Sequence, residues 1–597
     1  MEKVHDPDLL SLQQVRDLVA RAHEAQKRWA TFSQAQIDAV IEAVAEAASR
    51  EAEPLARLAV EETGYGNVAD KIRKNKLAAE DVHRAIRGLK TVGIIREDRE
   101  NAIVEVAEPV GVVAAIIPST NPTSTAIYKT LISLKARNAI VLSPHPTARR
   151  CICATADVLL KAALKAGAPE GLIGCMTQVT MQATQELMRH RRVALILATG
   201  GTGLVRAAYS SGKPALGVGP GNVPAYIERT AVVRKAVADI IAGKTFDNGT
   251  LCSSEQSIVC DEPIRAAVLH ELREQGAYFL NAKEIDALSR IVIRPDTGVP
   301  NPKIVGRAAP VVAQVAGFQV PAATRVLVAE LTGIGREHPL SLEKLSPILA
   351  FYTVKNYQEG IEVCNRLLEF GGLGHTIAIH SQSDAIIREF GQRVRAYRVM
   401  VNTPASLGSV GATTRLFPSM TLGCGAPGGN ITSDNISPKH LMNVKRIAWE
   451  TKPVEQPPAR LSSPLASAAP LSPPPPPAPV AAAAPTSSAI TQPDRATIAR
   501  VVERFLSQKG VPRGESNPGH DPGPPSAQAP SPPAPAAGVS GPRPAEFVSE
   551  SDVRAALARS EKIYVSPRSI VTPAARDLGN DNGVFVEVEA PLARRGN

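Results

Sequence analysis

The sequence has few aromatic residues, few cysteines and no long hydrophobic run. Aromatic residues make up 4% of its 597 residues, so a stacking platform for single-stranded nucleic acid is not expected. Seven cysteines, an odd number without a C-x-x-C pair, argue against a disulfide framework or a zinc site and for a reducing compartment. No apolar run reaches the ~18 residues of a membrane span. The first 20 residues include acids and no apolar core, so no secretory signal is expected.

The net charge of +10 is spread thinly, whereas proline is concentrated in one stretch. No run of about five Lys or Arg residues occurs, which argues against nucleic-acid binding and leaves a mild attraction for small polyanions. Hydrophobic residues make up 44% of the chain, enough for a real core, but 24 of the 50 prolines lie between Thr451 and Glu550. We therefore expect a folded body up to about residue 450 and a disordered Pro/Ala-rich tail after it.

The folded body has the pattern of an α/β protein. Two apolar stripes at helical spacing predict helices near the amino terminus, formed by Val15, Leu18, Val19 and Ala22 and by Ile37, Val40, Ile41 and Val44. From Ala102 onward β-rich segments alternate with helix-like ones, as where Val193–Ala198 leads into a Gly-rich turn and a helix. This alternation predicts two doubly wound parallel-sheet domains.

The chemistry centres on Cys252. It lies in the segment FDNGTLCSSEQ (246–256), whose small residues let a substrate approach. A nucleophilic cysteine needs access and a lowered pKa, which backbone amides or a helix start can supply. The alternative is a small, inert packed cysteine. We keep that interpretation for the remaining cysteines, Cys151, Cys153, Cys175, Cys260, Cys364 and Cys424.

The segment around Cys252 resembles the nucleophile motif of the aldehyde dehydrogenase superfamily, specifically its coenzyme-A-acylating branch. The resemblance runs from about Leu10 to Trp449, and further strings match in the same order. They are IPSTNP (117–122), ATGGTG (198–203), GVGPGNVP (217–224), GLGHT (372–376) and PSMTLGCG (418–425). The resemblance implies an aldehyde dehydrogenase-like fold, a β oligomerisation flap and a homo-oligomer, either a dimer or a tetramer.

The resemblance also implies a mechanism. The Cys252 thiolate attacks an aldehyde, and the Asn121 side chain and the Cys252 backbone N–H stabilise the oxyanion. Hydride leaves to nicotinamide and a thioester remains on the cysteine. Hydrolytic relatives carry a water-activating glutamate where this chain has Gly217. Because a thiol ionises far more easily than water, coenzyme A is the implied acceptor and an acyl-CoA the product. Acetaldehyde, propanal, lactaldehyde and sulfoacetaldehyde all remain open as substrates.

The binding of the nicotinamide cofactor is predicted from fewer residues than the catalytic mechanism is. Gly200, Gly201 and Gly203 allow close approach of the backbone to phosphate. Glu343 looks like the family's glutamate for the nicotinamide ribose, the alternative being a solvated acid at a helix end. His145 lies where hydrolytic relatives carry a lysine-bearing string, and it is either a contact to the adenosine ribose or a turn residue. The cofactor is therefore NAD, with NADP possible, and no metal is expected.

The tail contains one helix candidate. Residues 494–509 have a capping Asp494 and an apolar stripe made of Ile498, Val501, Val502, Phe505 and Leu506. Residues 562–579 look like a short element of bacterial microcompartment cargo proteins. Together these features suggest a cytoplasmic enzyme inside a microcompartment, recruited to a shell or cargo protein through helix 494–509. A membrane-surface helix is the competing interpretation, because basic residues flank the stripe, but with a single aromatic in the stripe we expect no membrane binding.

These observations divide the chain into five predicted regions. They are a nicotinamide-cofactor-binding domain (1–220, with strands near 100–110 contributing to oligomerisation), a catalytic domain (221–425), an oligomerisation segment (426–450), a Pro-rich linker (451–547) and a C-terminal targeting-like element (548–597). Two other functions stay open. One is a hydrolytic aldehyde dehydrogenase that gives a free acid, and the other is a non-catalytic scaffold with the same fold. His375 is either a core histidine or a contact.

Overall fold

A computed structural model describes residues 6–294, 298–454, 544–566 and 569–588. It separates the chain into two compact units, a first unit of residues 1–461 and a second unit of residues 462–597. The predicted tail helix, residues 494–509, lies outside the described residues. Among the described residues, no helix is long and apolar enough to cross a bilayer.

The first unit is built from strands and helices that alternate along much of the chain. Its strands are β1 (Gly93–Asp98), β2 (Ile103–Pro109), β3 (Val112–Ile117), β4 (Ala139–Pro144), β5 (Ile173–Cys175), β6 (Val193–Thr199), β7 (Ala215–Val218), β8 (Val223–Ile227), β9 (Glu255–Asp261), β10 (Ala277–Phe279), β11 (Val326–Glu330), β12 (Ile348–Val354), β13 (Ile377–His380), β14 (Val399–Val401) and β15 (Met442–Ala448).

Its helices are α1 (Pro7–Trp29), α2 (Gln34–Arg50), α3 (Ala52–Thr63), α4 (Val68–Lys76), α5 (Val82–Ile86), α6 (Pro122–Lys135), α7 (Arg149–Lys165), α8 (Met181–Arg189), α9 (Thr202–Tyr209), α10 (Val233–Thr245), α11 (Arg265–Glu274), α12 (Ala282–Val292), α13 (Ala309–Val315), α14 (Tyr357–Gly371), α15 (Asp384–Arg393) and α16 (Ala405–Ser409). A π-helical turn, Leu77–Asp81, joins α4 to α5. Short 3-10 helices lie at Pro146–Ala148, Phe246–Gly249, Glu262–Ile264, Pro339–Ser341, Ala426–Gly428 and Pro438–Leu441.

Two parallel sheets form the framework of the first unit. The first has the strand order β5-β4-β3-β6-β7 and the second the order β10-β11-β12-β9-β8-β13-β14. Every strand pair within each is parallel. The central strands β3 and β4 are buried along their whole length, as expected where helices cover both faces. The α/β architecture predicted from the sequence is confirmed.

Helix α2 shows how local sequence sets an element. Ser33 caps its start and exchanges hydrogen bonds with Gln36 in a capping box, which satisfies amides that a helix start leaves unpaired. The predicted stripe Ile37, Val40, Ile41 and Val44 is buried. The stripe predicted in α1, from Val15 to Ala22, is buried as well, against the first sheet and the neighbouring helices.

A third, antiparallel sheet has the order β1-β2-β15. The strands near 100–110, predicted to contribute to oligomerisation, include β2, which lies at the centre of this sheet. Both edges of β2 are therefore already paired within the chain, to β1 and to β15. In the described residues, the unpaired edges of this sheet belong to the outer strands β1 and β15. The part of strands near 100–110 and of the segment 426–450 in oligomerisation stays a prediction, with β15 as a strand that has a free edge in the described part of this sheet.

The second unit is small. Its described residues form β16 (Phe547–Val548), α17 (Glu550–Arg559), β17 (Ile563–Val565), β18 (Ile570–Val571), α18 (Pro573–Asp581) and β19 (Phe585–Glu587). Strand β16 pairs with β18 and β17 with β19, both in parallel. The described residues of segment 562–588 therefore contain a helix as well as strands. Val548, Val553, Val565 and Ala575 form its buried core.

Candidate active site

Cys252 lies between a strained turn and the amino end of β9, an inner strand of the seven-stranded sheet. Asp247, Asn248 and Gly249 have φ angles of 48°, 53° and 77°, so three consecutive residues take the left-handed conformation. Such a conformation costs a non-glycine residue about 1–2 kcal/mol. The turn reverses the chain after α10, and the Cys252 side chain remains partly exposed.

The backbone around Cys252 is packed against a glycine and a buried acid. A Cβ on Gly221 would lie 2.1 Å from the Cys252 carbonyl oxygen and 3.1 Å from the His375 ring. The Gly221 N–H donates to Glu343 Oε1 at 3.0 Å, and Glu343 is only 7% exposed. Gly221 therefore connects Cys252 and Glu343. This burial excludes the alternative in which Glu343 is a solvated helix-end acid.

Burial changes the acidity of both groups. It raises the pKa of the Glu343 carboxyl to about 7. It also raises the pKa of the Cys252 thiol to about 12, with a further rise from the Glu343 charge, while Arg398 acts in the opposite direction. The lowered pKa expected for a nucleophile is therefore not found in this structure, because burial and the Glu343 charge both disfavour the thiolate.

Asn121 reaches the nucleophile loop from the first sheet. It follows β3 and immediately precedes α6, and its Nδ2 donates to the Thr250 carbonyl at 3.2 Å, two residues before Cys252. Nδ2 also contacts Thr120 Oγ1 at 3.2 Å. The two residues predicted to be catalytic are thus brought to one loop although 131 positions separate them in the sequence.

A buried ionic network lies behind Asn121, and sequence reasoning missed it. Lys74 Nζ donates to Asn121 Oδ1 at 2.5 Å and pairs with Asp247. Lys71 also donates to Asp247, at 3.0 Å, and Thr250 Oγ1 does so at 2.6 Å. These contacts link α4 to the strained turn and to Asn121. In the sequence, Asp247 within the nucleophile string was the one available signal.

The charges in this network shift one another's acidity. Burial lowers the pKa of Lys74 to about 8, against the attraction of Asp247. Burial alone would raise the pKa of Asp247, but Lys74 and Lys71 hold it below its ordinary value. Asp247 is therefore a carboxylate at neutral pH, enclosed by two lysines.

His375 and Arg398 lie on the other side of Cys252. His375 is fully buried, its Nδ1 contacts Thr376 Oγ1 at 2.9 Å, and its Nε2 is buried without a hydrogen-bond partner. Burial, with the nearby Arg398 charge, lowers its pKa well below the ordinary value, so the imidazole is neutral. Arg398 donates to the Gly423 carbonyl at 2.5 Å and to that of Ser433 at 2.9 Å. Sequence reasoning assigned no role to Arg398.

Cys424 belongs to the same surroundings. Burial raises the pKa of the Cys424 thiol to about 11, against the lowering effect of the Arg398 charge. The Cys424 thiol in turn contributes to the raised pKa of Cys252. Its backbone N–H donates to Asn430 Oδ1 at 2.8 Å. A packed thiol, as the sequence suggested, fits this burial.

The predicted cofactor glycines lie at the carboxyl end of β6. Gly201 is the residue before α9 and provides no side-chain cap, so the first amides of the helix are left for another acceptor. A Cβ on Gly201 or Gly203 would meet nothing within 4 Å, whereas one on Gly200 would lie 2.6 Å from Leu204. The open, side-chain-free turn fits the phosphate of a dinucleotide.

His145 follows β4 and lies at the same sheet edge, because β4 and β6 both pair with β3. Its backbone N–H donates to the Ile117 carbonyl at 3.1 Å. Its exposed ring contacts Thr147 Oγ1 at 2.9 Å. These contacts give His145 a role in the turn. Its position at the carboxyl edge of the sheet is also compatible with a contact to the cofactor.

Gly217 occupies a position with no room for a side chain. A Cβ there would lie 2.8 Å from Val205 Cγ1 and 3.0 Å from the Tyr209 ring. The Gly217 N–H donates to the Tyr209 hydroxyl at 3.1 Å. Two side chains of helix α9 therefore fill the space that a side chain at position 217 would need.

A cavity of about 250 Å³ lies beside the nucleophile loop. Its wall is largely apolar and includes Leu251, Leu407, Val410 and Met420, with Phe246 and Lys74 at the loop and network. Leu251 directly precedes Cys252, which is not itself among the residues that line the cavity. Its size suits a small organic molecule.

Known proteins share this architecture. Residues 2–280 match the model of the aldehyde dehydrogenase family. The bifunctional aldehyde-alcohol dehydrogenase AdhE of Escherichia coli is 45% identical over 436 residues, 72% of this chain and 49% of AdhE. The chain thus spans about half the length of this curated relative.

Two solved structures cover most of the first unit. A propionaldehyde dehydrogenase from the Clostridium phytofermentans fucose utilisation bacterial microcompartment is 30% identical, with a TM-score of 0.66, over 74% of this chain and 99% of that one. An acetylating aldehyde dehydrogenase from Geobacillus thermoglucosidasius is 53% identical, with a TM-score of 0.75, over 76% of this chain and 100% of that one. Because the chain is 53% identical to this acetylating aldehyde dehydrogenase over the whole length of that protein, it belongs to the aldehyde dehydrogenase family.

Proposed function

We propose that this chain converts a short aldehyde, coenzyme A and NAD(P)⁺ into an acyl-CoA and NAD(P)H. The observation that carries the proposal is the packing of Gly217 against Val205 and Tyr209, which leaves no room for a water-activating carboxylate at that position. The acetylating name of the 53% identical Geobacillus structure supports the same reaction. It also makes acetaldehyde the first substrate to test, ahead of propanal, lactaldehyde and sulfoacetaldehyde.

In the proposed reaction, the Cys252 sulfur attacks the aldehyde carbonyl and forms a tetrahedral thiohemiacetal. The Cys252 N–H and Asn121 Nδ2 donate to its oxyanion. Since Nδ2 now donates to Thr250 and Thr120, one of those bonds must be released. Bound NAD(P)⁺ supplies the hydride acceptor, and Gly200, Gly201, Gly203 and Glu343 are the residues proposed to hold it.

The second half-reaction transfers the acyl group to a thiol. Loss of hydride leaves a thioester on Cys252, and the sulfur of coenzyme A attacks it, so that acyl-CoA leaves and the Cys252 thiol is regenerated. A neutral imidazole with an unpartnered Nε2 can accept a thiol proton. His375 has both properties, and we propose it as the base of this step.

The hydrolytic alternative has one observation in its favour. The Glu343 carboxylate acts electrostatically on Cys252, and its pKa of about 7 suits a general base for water. Its Oε1 is already bonded to Gly221, which favours a positioning or cofactor role. Product analysis separates the two reactions.

The experiment is turnover of acetaldehyde with NAD⁺ in the presence and absence of coenzyme A, with products identified by mass spectrometry. We expect acetyl-CoA as the main product and only a small fraction of the rate without coenzyme A. Cys252→Ala should lower NADH formation by several orders of magnitude in a folded protein, which also tests the scaffold alternative. Free acetate as the main product with coenzyme A present would refute the acylating proposal.

The choice between NAD and NADP is tested in the same assay. His145 is the residue at issue, since its ring is exposed at the edge where the adenosine is expected. We propose NAD as the preferred cofactor. The ratio of kcat/KM for the two cofactors, in wild type and in His145→Ala, measures the preference, and an unchanged ratio would assign His145 to the turn alone.

We further propose that the enzyme acts inside a bacterial microcompartment. The Clostridium phytofermentans relative named for such a compartment supports this, as do the sequence pattern of residues 494–509 and the compact second unit. Replacing Val501, Val502 and Phe505 by charged residues should leave aldehyde oxidation unchanged and abolish co-fractionation with purified compartments. If the variant co-fractionates as well as wild type, helix 494–509 is not the targeting signal, and residues 562–579 become the next candidate.

A further inference from the structure

Cys153 and Cys175 meet although 22 positions separate them. Cys153 lies in the first turns of α7, and Cys175 is the last residue of β5, the edge strand of the first sheet. Their sulfur atoms are 3.4 Å apart, within about 1.4 Å of a disulfide bond length. Sequence reasoning treated both as inert packed thiols, because nothing local links them.

The pair differs in exposure from most of the other cysteines. Cys153 and Cys175, like Cys252, are partly exposed residues, whereas Cys151, Cys260, Cys364 and Cys424 are buried. Both sulfur atoms also approach the Met176 carbonyl, at 3.5 and 3.8 Å. A small oxidant can therefore reach this pair, and the carbonyl can accept one S–H while the other sulfur reacts.

The two sulfur atoms are chemically unequal. A hydrogen bond from Cys175, with the nearby Arg149 charge, lowers the pKa of Cys153. The same hydrogen bond, with burial, raises the pKa of Cys175 well above its ordinary value. Cys153 is thus the more acidic thiol of the pair. In such a pair the more acidic cysteine reacts with the oxidant first, and its neighbour resolves the product.

We propose that Cys153 and Cys175 form a peroxide-oxidised dithiol, a modification site separate from the candidate nucleophile Cys252. The Cys153 sulfur attacks one peroxide oxygen, the O–O bond breaks, and a sulfenic acid and one water form. The Cys175 sulfur then attacks the sulfenic sulfur and expels the second water. In total, two thiols lose two protons and two electrons, and one hydrogen peroxide takes them up to become two waters.

The structure also orders the reactivity of the thiols. The Cys252 thiol has a pKa of about 12 in the free protein, so it is almost wholly protonated near neutral pH. The pKa of the Cys153 thiol is lowered instead, and the thiolate is the form that reacts with an oxidant. We therefore expect peroxide to oxidise Cys153 before Cys252.

The test uses the reduced full-length chain with one equivalent of hydrogen peroxide. Remaining thiols are then blocked with N-ethylmaleimide, and a non-reducing digest is analysed by mass spectrometry. We expect a Cys153–Cys175 linked peptide, two hydrogens lighter than the dithiol pair, while Cys252 is recovered as its maleimide adduct. Dithiothreitol should restore both thiols.

Two variants sharpen the assignment. In Cys175→Ser, the sulfenic acid at Cys153 has no resolving thiol and should be trapped by dimedone. Cys364→Ala, which removes a fully buried thiol, should leave the linked peptide unchanged. The proposal is overturned if Cys153 and Cys175 are both recovered as maleimide adducts while Cys252 is oxidised, or if the link forms only in guanidinium. The wild-type measurement decides this without either variant.

Discussion

At the scale of single residues, Lys74 determines which way the Asn121 amide faces. An ammonium group has donors and no acceptor, so the Asn121 oxygen must point at Lys74 and the nitrogen at the nucleophile loop. Both observed hydrogen bonds agree with this orientation. An amide turned the other way would present an acceptor to an oxyanion and repel it. Lys74 is therefore a positioning residue for the proposed oxyanion site.

Lys74→Met should lower kcat about tenfold or more. Removal of an oxyanion donor lowers kcat by a factor of about 10²–10³, and in this variant the Asn121 donor is still present but no longer held in its orientation. KM for the aldehyde should change little. Lys135→Met is the matched control, because Lys135 is an equally buried lysine paired with Asp38, away from Asn121. Both variants should lose stability in urea unfolding. An equal loss of kcat in both would show that Lys74 acts only through the fold.

A second residue-scale prediction concerns pH. With a pKa of about 12, the thiolate fraction of Cys252 in the free protein should rise about tenfold per pH unit between 7 and 9. Iodoacetamide labelling of the Cys252 peptide should follow that slope without a plateau. Glu343→Gln removes a charge that raises this pKa, so it should speed labelling above pH 7, where Glu343 is ionised, and have little effect well below it. A plateau near pH 8 would contradict the raised pKa.

At the scale of elements, the spacing of apolar side chains predicted the helices and strands that form from local sequence. The stripes of α1 and α2 and the buried strands of the first sheet follow from side-chain periodicity. The contacts between Lys74 and Asp247, 173 positions apart, and between β2 and β15 depend on how distant segments pack. No spacing rule links such pairs, so the ionic network, the Cys153–Cys175 pair and the central place of β2 had to be read from the structure.

The outer strand β15 leads to a prediction about assembly. Its unpaired edge lies next to exposed apolar side chains, with Ile447 46% and Trp449 57% exposed, a combination that favours strand addition from another chain. We expect a dimer or tetramer by light scattering at micromolar concentration. Replacing Ile447 and Trp449 by lysine should shift the mass toward a monomer, whereas Val232→Lys, at an exposed valine outside this sheet, should not. A wild-type monomer would contradict the prediction.

At the scale of the whole molecule, the proposed chemistry resides in one unit. All the residues named for catalysis and cofactor binding lie between 74 and 424 in the sequence, within the first unit. That unit contains separate buried clusters for its sheets. The second unit has its own small core and no residue that we assign to the reaction.

A chain ending at residue 461 should therefore form NADH at a rate within about twofold of the full chain, since catalytic groups and their supporting core are retained. Steady-state assays of the two proteins, together with thermal unfolding, make the comparison. Co-fractionation with compartments should be lost in the shorter chain. A large drop in turnover at unchanged thermal stability would assign the second unit a direct part in the reaction.

The packing at Gly217 also bears on how this protein can evolve. A glutamate introduced there alone would force its Cβ against Val205 and Tyr209, and such overpacking costs about 1–3 kcal/mol. The loss of stability would come before any gain in water activation. A single substitution at position 217 is therefore not expected to produce the hydrolytic reaction. A lineage would first have to shrink Val205 or Tyr209, a change with no catalytic benefit of its own. If coenzyme A is the acceptor, as proposed, that specificity is protected in this chain by the order in which mutations would have to occur.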